Sequence, residues 1–315
     1  MTLDMDPKIV KLVKESKLNV PFAIPFLRSN RISLKLDKTA LYQSYMRKRS
    51  LYNLSELFHE NTKLRKYTGD IYSVEMFATP SFLVTTSRTF SQRPSKSTIK
   101  LPKGNLQLDV NLGDVIKSRR SKRNFTKKSM RLDELSKLLY YSYGITGYFE
   151  PTEVYVRGES VTIILPLRAS PSGGALYPID IFLGVLNVRG IKRGIYFYDV
   201  ETHSLKLLTQ DERKLERLIS SFPFTPDVLD INKANVVFIL AGVFYRTKTK
   251  YGERGYRYVL QDSGHIAQNL YLVGTALGLG VVAVDGFYDD ELNELLELDG
   301  VEEAVVYTVV VGKIG

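Results

Sequence analysis

Cysteine is absent from the 315 residues. That excludes disulfides, thiolate metal sites and a cysteine nucleophile. Histidine is scarce: only His59, His203 and His265 occur, and no two share zinc-site spacing. His265 falls in a helical pattern and reads as a packing residue; no metal is expected. No apolar run approaches the roughly 20 residues that a membrane helix needs. The longest, from Ala234 to Phe244 with Asn235 inside it, suits a buried strand. Met1-Thr-Leu-Asp-Met-Asp-Pro7 is acidic and lacks the apolar core of a secretory signal, so the cytoplasm, with no membrane partner, is the expected location. There is no Walker A sequence. Gly278-Leu-Gly280 lacks the third glycine of a dinucleotide fingerprint and precedes a strand instead of a helix.

Charge is present but uneven. Residues 1–130 hold 26 Lys/Arg against 10 Asp/Glu, whereas the rest of the chain is net acidic. A basic front suits a nucleic acid, a phosphate cofactor or an acidic peptide, or is simply a solvated surface. Helical patches over Asp6–Lys17 and Tyr42–Phe58 and a loop signature at Ser91-Gln-Arg-Pro-Ser-Lys-Ser97 divide this region. It reads as an arm, residues 1–105, packing on a domain of residues 106–315. In that domain Leu112, Val115, Ile116 and Arg119 share one helical face, and Leu132, Leu135, Leu138 and Leu139 mark a second helix ended by Gly144. Strands are expected over Ile179–Val188, Gly194–Val200, Leu205–Leu208, Asn235–Phe244, Val281–Asp285 and Ala304–Val311, with helices at Asp211–Phe222, Tyr256–Leu277 and Asp289–Leu298. This order argues α+β, a central sheet flanked by helices.

Four clusters carry possible chemistry. Arg119, Arg120, Ser121 and Arg123 offer forked guanidiniums and a hydroxyl, which suit a phosphate, or else a basic helix end favouring its own dipole. Pro171, Ser172, Gly173 and Gly174 precede a strand; the glycines let backbone approach a flat ligand, or the segment is an ordinary turn. Tyr245 to Tyr258 interleaves basic and aromatic residues, which fits a nucleic-acid surface, a solvated loop, or a Lys250-Tyr251 acid–base pair whose ammonium lowers the phenol's pKa. The long helix repeats Val259, Ser263, Ile266, Leu270, Val273 and Leu277 beside a small-residue stripe of Gly264, Ala267, Gly274 and Gly278. Such a helix is buried on more than one side, within a core or between core and dimer interface.

In order and spacing, these stretches resemble the nitroreductase superfamily, and within it the SagB-type branch that includes azoline-oxidising flavin dehydrogenases of ribosomal peptides. The resemblance rests on Ser118–Phe125, Arg168–Pro178, Lys250–Tyr258 with Asp262–Leu270, Leu277–Gly280 with Asp285-Gly-Phe287, Val311-Gly-Lys313 and a lead-in at Leu57–Lys63. It covers roughly residues 50–315. It implies a nitroreductase-like fold with a mixed, mostly antiparallel sheet, and a homodimer joined through the long helix with FMN across the interface. Arg119, Arg120, Ser121 and Arg123 would hold the phosphate and ribityl chain. Pro171, Ser172, Gly173 and Gly174 would line the isoalloxazine, Gly278 and Gly280 would approach it from the other side, and Lys313 would be a further phosphate contact. Lys250 and Tyr251 match the catalytic pair of azoline dehydrogenation. The implied reaction takes a hydride from a peptide azoline to flavin N5, with oxygen as final acceptor. A cyclodehydratase partner is then possible and a nucleic-acid partner is not expected. The alternatives are an NAD(P)H-dependent nitro or quinone reductase, or a flavin-binding homologue without activity.

Overall fold

The computed structural model describes residues 54–63, 89–103, 107–156 and 158–315. The chain divides into two compact units, Met1–Ile71 and Tyr72–Gly315. In the first, the described element is one helix, α1 (Leu54–Asn61), with Glu56 in its first turn, where a negative charge favours the helix dipole. The Thr62 hydroxyl closes its end on the Phe58 carbonyl at 2.6 Å. The expected patch over Asp6–Lys17, and Tyr42–Phe58 up to residue 53, lie outside the described residues.

In chain order the second unit runs β1 (Ser97–Lys100), α2 (Leu112–Ser118), α3 (Leu132–Tyr143), β2 (Ile145–Tyr148), β3 (Thr152–Val156), β4 (Glu159–Ile163), β5 (Pro166–Arg168), β6 (Ile179–Val185), β7 (Gly194–Asp199), β8 (Ser204–Thr209), α4 (Glu212–Ser220), β9 (Val236–Val243), α5 (Phe244–Tyr251), α6 (Gly255–Ala276), β10 (Leu279–Val284), α7 (Asp289–Leu295) and β11 (Glu303–Lys313). Seven strands form one sheet in the order β1-β8-β7-β6-β9-β11-β10. All six ladders are antiparallel. Parallel pairing enters among the described residues as the isolated Met130–Val188 bridge.

The apolar runs of β6, β9 and β11 are continuous because both faces of the sheet are covered. On one face Ile181, Leu183, Val236, Phe238, Val309 and Val311 pack with Leu135 and Leu138 of α3 and Val259, Ile266 and Leu270 of α6. On the other, Phe182, Val237, Ile239 and Val310 pack with Leu215 and Leu218 of α4 and Leu292 and Leu295 of α7. Each such buried side chain contributes about 1.5–3 kcal/mol relative to exposure. The fold is α+β, as the order of elements implied. No helix among the described residues is long and apolar enough to cross a membrane.

Three features depart from the sequence reading. The antiparallel pairs β2–β5 and β3–β4 have no expected counterpart, since β2 and β5 are very short and β3–β4 is mostly exposed. Residues 244–251 fold as α5, where the basic pattern also allowed a solvated loop. Phe244, Arg246 and Thr247 bury that helix against the sheet. His265 is exposed on α6 instead of packed, and the buried histidine is His203, held between Ser136 and Tyr198.

Residues 89–93 are fastened to the sheet by charge. Arg93 and Arg246 both meet the buried Asp180 at 3.3 Å, and Arg93 also pairs with Glu303. Arg246 donates to the Ser91 hydroxyl at 2.6 Å, and Arg168 to the Thr89 carbonyl at 3.0 Å.

The small-residue stripe of α6 splits. Ala267 and Gly274 lie in the chain's own core, whereas a Cβ on Gly264 or Gly278 would meet open space. An added Cβ on Gly274 would come within 2.3 Å of Val281 on β10. Gly274→Ala should therefore overpack the core and lower stability by about 1–3 kcal/mol. Urea unfolding of the variant checks this; unchanged or greater stability would mean that α6 has slack against β10.

Candidate functional site

The helix α2 is capped by Asn111, whose side chain accepts from the Gly113 and Asp114 amides, and it stops at Ser118. Arg119 is already extended backbone, outside the helix. Of the face expected to bury it, Val115 alone is buried; Leu112 and Ile116 are 64% and 56% exposed. Burial does not, then, explain this arginine. Its guanidinium lies 5.1 Å over the ring of Tyr271 on α6. The Ser121 hydroxyl is 2.9 Å from the Tyr271 phenol, and that phenol accepts the Ala283 amide of β10 at 2.8 Å. The Lys122 amide donates to the Val281 carbonyl. One tyrosine thus ties the segment to α6 and β10 together.

The Arg120 guanidinium turns back on the carbonyls of Lys117 and Arg119. Arg123 stands at a cleft of ≈ 230 Å³ lined by Phe224, Val228, Val282 and Asp285. Among the described residues, no carboxylate pairs with Arg119, Arg120 or Arg123. Three cations and a hydroxyl on one exposed stretch form a donor set that suits a phosphate.

Lys313 is placed differently. Its ammonium meets the buried Glu134 carboxylate at 2.7 Å, and that carboxylate also accepts the Arg131 amide at the start of α3. Gly280 is buried, and its missing Cβ leaves room for Ile314 and Phe125 of the same chain. Gly278, exposed with φ +67°, has open space around it.

The second and third clusters come together. Gly174 sits in the left-handed region at φ +67°, in the turn after Ser172. A Cβ there would lie 2.6 Å from the Tyr251 phenol oxygen and 3.0 Å from Lys250 Nζ. The positive φ is what calls for glycine here; the atoms a Cβ would meet are the far ends of two flexible side chains. Gly173 faces Tyr258, which packs edge-on against Tyr251 at 4.7 Å. The Lys250 ammonium lies 5.5 Å from the Tyr251 ring centre. Lys250 and Tyr251 end α5, whose approach to α6 is set by Gly255: a Cβ there would strike the Thr247 backbone. Burial, with Tyr258 and Asp262 nearby, pushes the Tyr251 phenol up. The sequence reading had the ammonium of Lys250 lowering it; in the fold desolvation prevails.

Beneath the loop lies a residue that sequence reasoning did not single out. Asp262 of α6 is 4% exposed, and its Oδ2 has no hydrogen-bond partner. The Ser172 hydroxyl lies near this carboxylate and accepts the Tyr177 amide at 2.9 Å. Desolvation, opposed by Ser172 and by His265, pushes Asp262 up to about 6. The signal was present: Asp262 falls three residues after Val259 and four before Ile266, a carboxylate on an apolar helix face. Tyr271 gave no such signal, because an aromatic residue on a buried helix reads as core.

Residues 116–313 match the Nitroreductase family. A Methanocaldococcus jannaschii protein named as a nitroreductase is 36% identical over 190 residues, covering 60% of this chain and 86% of that protein. The microcin B17-processing protein McbC of Escherichia coli is 31% identical over 137 residues, covering 42% of this chain and 49% of McbC. The chain thus spans about half the length of that relative. The solved E. coli microcin synthetase McbBCD complex with truncated pro-MccB17 contains a chain of the same fold. Its TM-score is 0.50 at 22% identity, covering 99% of this chain and 95% of that one.

Since Asp262 is raised in the folded state, its stabilising contribution is complete below the ordinary carboxylate range and is lost as pH rises through about 6. Asp262→Asn should melt higher than the parent at pH 8, with the advantage shrinking towards pH 4. A melting-temperature difference that is constant from pH 4 to pH 8 would show that the ionised carboxylate carries no cost.

Proposed function

This chain belongs to the nitroreductase family, and we propose that it is an FMN-dependent dehydrogenase that oxidises a thiazoline or oxazoline in a peptide to the aromatic azole. The observation that carries this reading is the convergence of Lys250, Tyr251 and the Gly174 turn on one point. Similarity to McbC, a peptide-processing protein, supports the substrate class. A cyclodehydratase, which makes azolines, is the expected partner.

The residues present fit FMN. Arg119, Arg120, Ser121 and Arg123 are the donors for its phosphate and ribityl chain, and Pro171, Ser172, Gly173 and Gly174 are the backbone for its ring. Gly278, with open space and positive φ, is kept for the ring's other side. Gly280 is kept beside it as a shaping residue that packs on Phe125. Lys313 reaches a phosphate only by sharing its ammonium with Glu134.

One helix argues for two copies. Tyr271 anchors the arginine segment and Asp262 lies by the glycine turn, nine residues apart on α6. At 1.5 Å and 100° per residue, these anchors lie about 14 Å apart on roughly opposite faces. One chain therefore turns its two cofactor clusters away from each other, and a two-fold partner brings one of each together. Leu260 at 43% exposed, open Gly264, and the exposed Leu112 and Ile116 are the apolar surface for that contact.

Converting an azoline to an azole removes one proton and one hydride. Bound FMN would supply the hydride acceptor, with oxygen as the final one. The proton falls to Lys250 and Tyr251. The phenol is held neutral at neutral pH, so it is the scarce phenolate form of Tyr251 that accepts the substrate proton. The Lys250 ammonium, converging on the same point, favours that phenolate by its charge.

Three outcomes are expected. The purified protein should be yellow, release FMN on denaturation and scatter light as about twice 35.8 kDa; a colourless protein that ignores added FMN would end the proposal. Flavin bleaching by a thiazoline-containing peptide should quicken as pH rises, to beyond the ordinary tyrosine value near pH 10, because the raised phenol keeps its basic form scarce below that. Tyr251→Phe should flatten that rise and slow bleaching by about 100-fold or more. Rapid bleaching by NADPH, with none by the peptide, would favour a nitro or quinone reductase; the M. jannaschii relative is named as a nitroreductase.

A further inference from the structure

The run from the glycine turn into β6 holds a backbone outlier. Tyr177 has φ +43°, and Ala175, two residues earlier, has φ +53°. Residues with a Cβ rarely enter this left-handed region, and for a bulky one it is a genuine exception. Tyr177 also precedes Pro178, whose ring pushes its predecessor towards extended backbone. Burial of the tyrosine ring does not by itself call for that conformation. Strained backbone of this kind persists only where its surroundings over-determine it, and it gathers at functional sites.

Three hydrogen bonds hold Tyr177. Its amide donates across the turn to the Ser172 hydroxyl at 2.9 Å. Its phenol accepts the Arg168 amide, just before the turn, at 3.0 Å. Its carbonyl accepts Arg246 Nη1 of α5 at 3.1 Å. The Arg168 guanidinium lies 4.7 Å from the centre of its ring. The next carbonyl, that of Pro178, accepts the Val243 amide at the entry to α5, at 2.7 Å. One residue thus closes the segment from Arg168 to Tyr177 on itself and bonds it to α5. Lys250 and Tyr251 follow Arg246 by about one helical turn. The glycine turn meets the same pair directly: an added Cβ on Gly174 would lie 2.6 Å from the Tyr251 phenol oxygen, and one on Gly173 would lie 4.0 Å from the Tyr251 ring. The turn and the pair are therefore bonded through Tyr177 at one end and in contact at the other. Misplacement by about 1 Å is enough to cost about 100-fold in rate.

We propose that Tyr177 is a positioning residue of this site: its amide and phenol close the Pro171–Gly174 turn, and its carbonyl, held by Arg246, sets that turn against Lys250 and Tyr251. The proposal rests on the reading of Lys250 and Tyr251 as the proton-handling pair. Tyr177 itself moves no proton. Removing its phenol oxygen leaves ring, backbone and charge in place and frees only the start of the turn. Removing the Arg246 guanidinium frees the other side, while Asp180 keeps its bond to Arg93. Arg246 also holds the Ser91 hydroxyl, at 2.6 Å, and that bond lies outside the turn.

The test uses full-length protein in five forms: parent, Tyr177→Phe, Arg246→Met, the Tyr177→Phe/Arg246→Met double variant, and Ser91→Ala. With saturating thiazoline-containing peptide, Tyr177→Phe and Arg246→Met should each slow flavin bleaching by about 100-fold. The double variant should be no slower than about the worse single, because both changes release the same turn. Ser91→Ala, the half-saturating peptide concentration and FMN affinity should all stay within about three-fold of the parent. The rise of rate with pH should survive in Tyr177→Phe, since Tyr251 still takes the proton. A Tyr177→Phe rate within about three-fold of the parent, a Ser91→Ala variant as slow as Arg246→Met, or a double variant whose loss is the product of the singles overturns the proposal. Tyr177→Phe carries the test alone if Arg246→Met does not fold. A second readout needs neither added flavin nor substrate. In protein whose protons are confined to glycine and tyrosine, a nuclear Overhauser cross-peak should join the glycine α-protons of the turn to the Tyr251 ring, assigned by its loss in Tyr251→Phe. It should weaken in Tyr177→Phe and persist in Ser91→Ala. An undiminished cross-peak in Tyr177→Phe also overturns the proposal. If the peptide leaves even the parent's flavin oxidised, the proposed reaction fails, while the cross-peak still decides what Tyr177 does.

Discussion

The helical repeat of α6 is the constraint on which the rest of the molecule depends. Its apolar side closes one core of the sheet through Val259, Ile266 and Leu270. Two of its remaining positions meet the two clusters: Asp262 lies by the glycine turn and Tyr271 supports the arginine segment. Because those positions are two and a half turns apart, the clusters point apart. The geometry that makes α6 a good core helix is the same geometry on which the proposal of a two-copy site rests.

Electrostatic cost is concentrated where the chemistry is proposed. Among the described residues, the buried polar atoms without partners are Arg93 Nε, Arg168 Nε, Arg246 Nε and Asp262 Oδ2. They are not scattered. Arg168 lies against Tyr143 and Tyr177, and Arg93 and Arg246 share Asp180. The Tyr143 phenol, pushed up to about 12 by burial, feels Arg168, Arg246, Asp262 and Asp180 together. The start of the central strand β6, just after the glycine turn, is thus a dense ionic knot inside an otherwise apolar interior. Perturbed ionisable groups gathered at one place in this way are typical of functional sites, although structural ion networks produce them as well.

Much of the fold was legible because both cores impose a period. Ile181 and Leu183 face one core and Phe182 the other, so β6 reads as a continuous apolar run; α3 and α6 read as helices from their leucines and valines. Elements without a period were not legible. The pair β3–β4 is mostly exposed, β2 and β5 are very short, and α5 is basic along much of its length and held by tertiary packing of Phe244, Arg246 and Thr247. The site divides likewise. Residue types suggested the Arg119–Arg123 segment, the Pro171–Gly174 turn and the Lys250-Tyr251 pair. Only the fold put the last two against each other, placed Arg119 on an aromatic ring and gave Lys313 a carboxylate. Asp262 was the charged break in an apolar helix face, a mark that periodicity reveals once it is read for exceptions as well as for rule.

The central claim is that the arginine segment and the glycine turn, though turned apart on one chain, hold the same flavin. Amide hydrogen exchange of flavin-free protein, followed by mass spectrometry with and without added FMN, tests it directly. The account predicts that FMN slows exchange in peptides spanning Arg119–Arg123 and Pro171–Tyr177 together, at the same FMN concentration. Protection confined to one of the two segments, or absent from both, would contradict it.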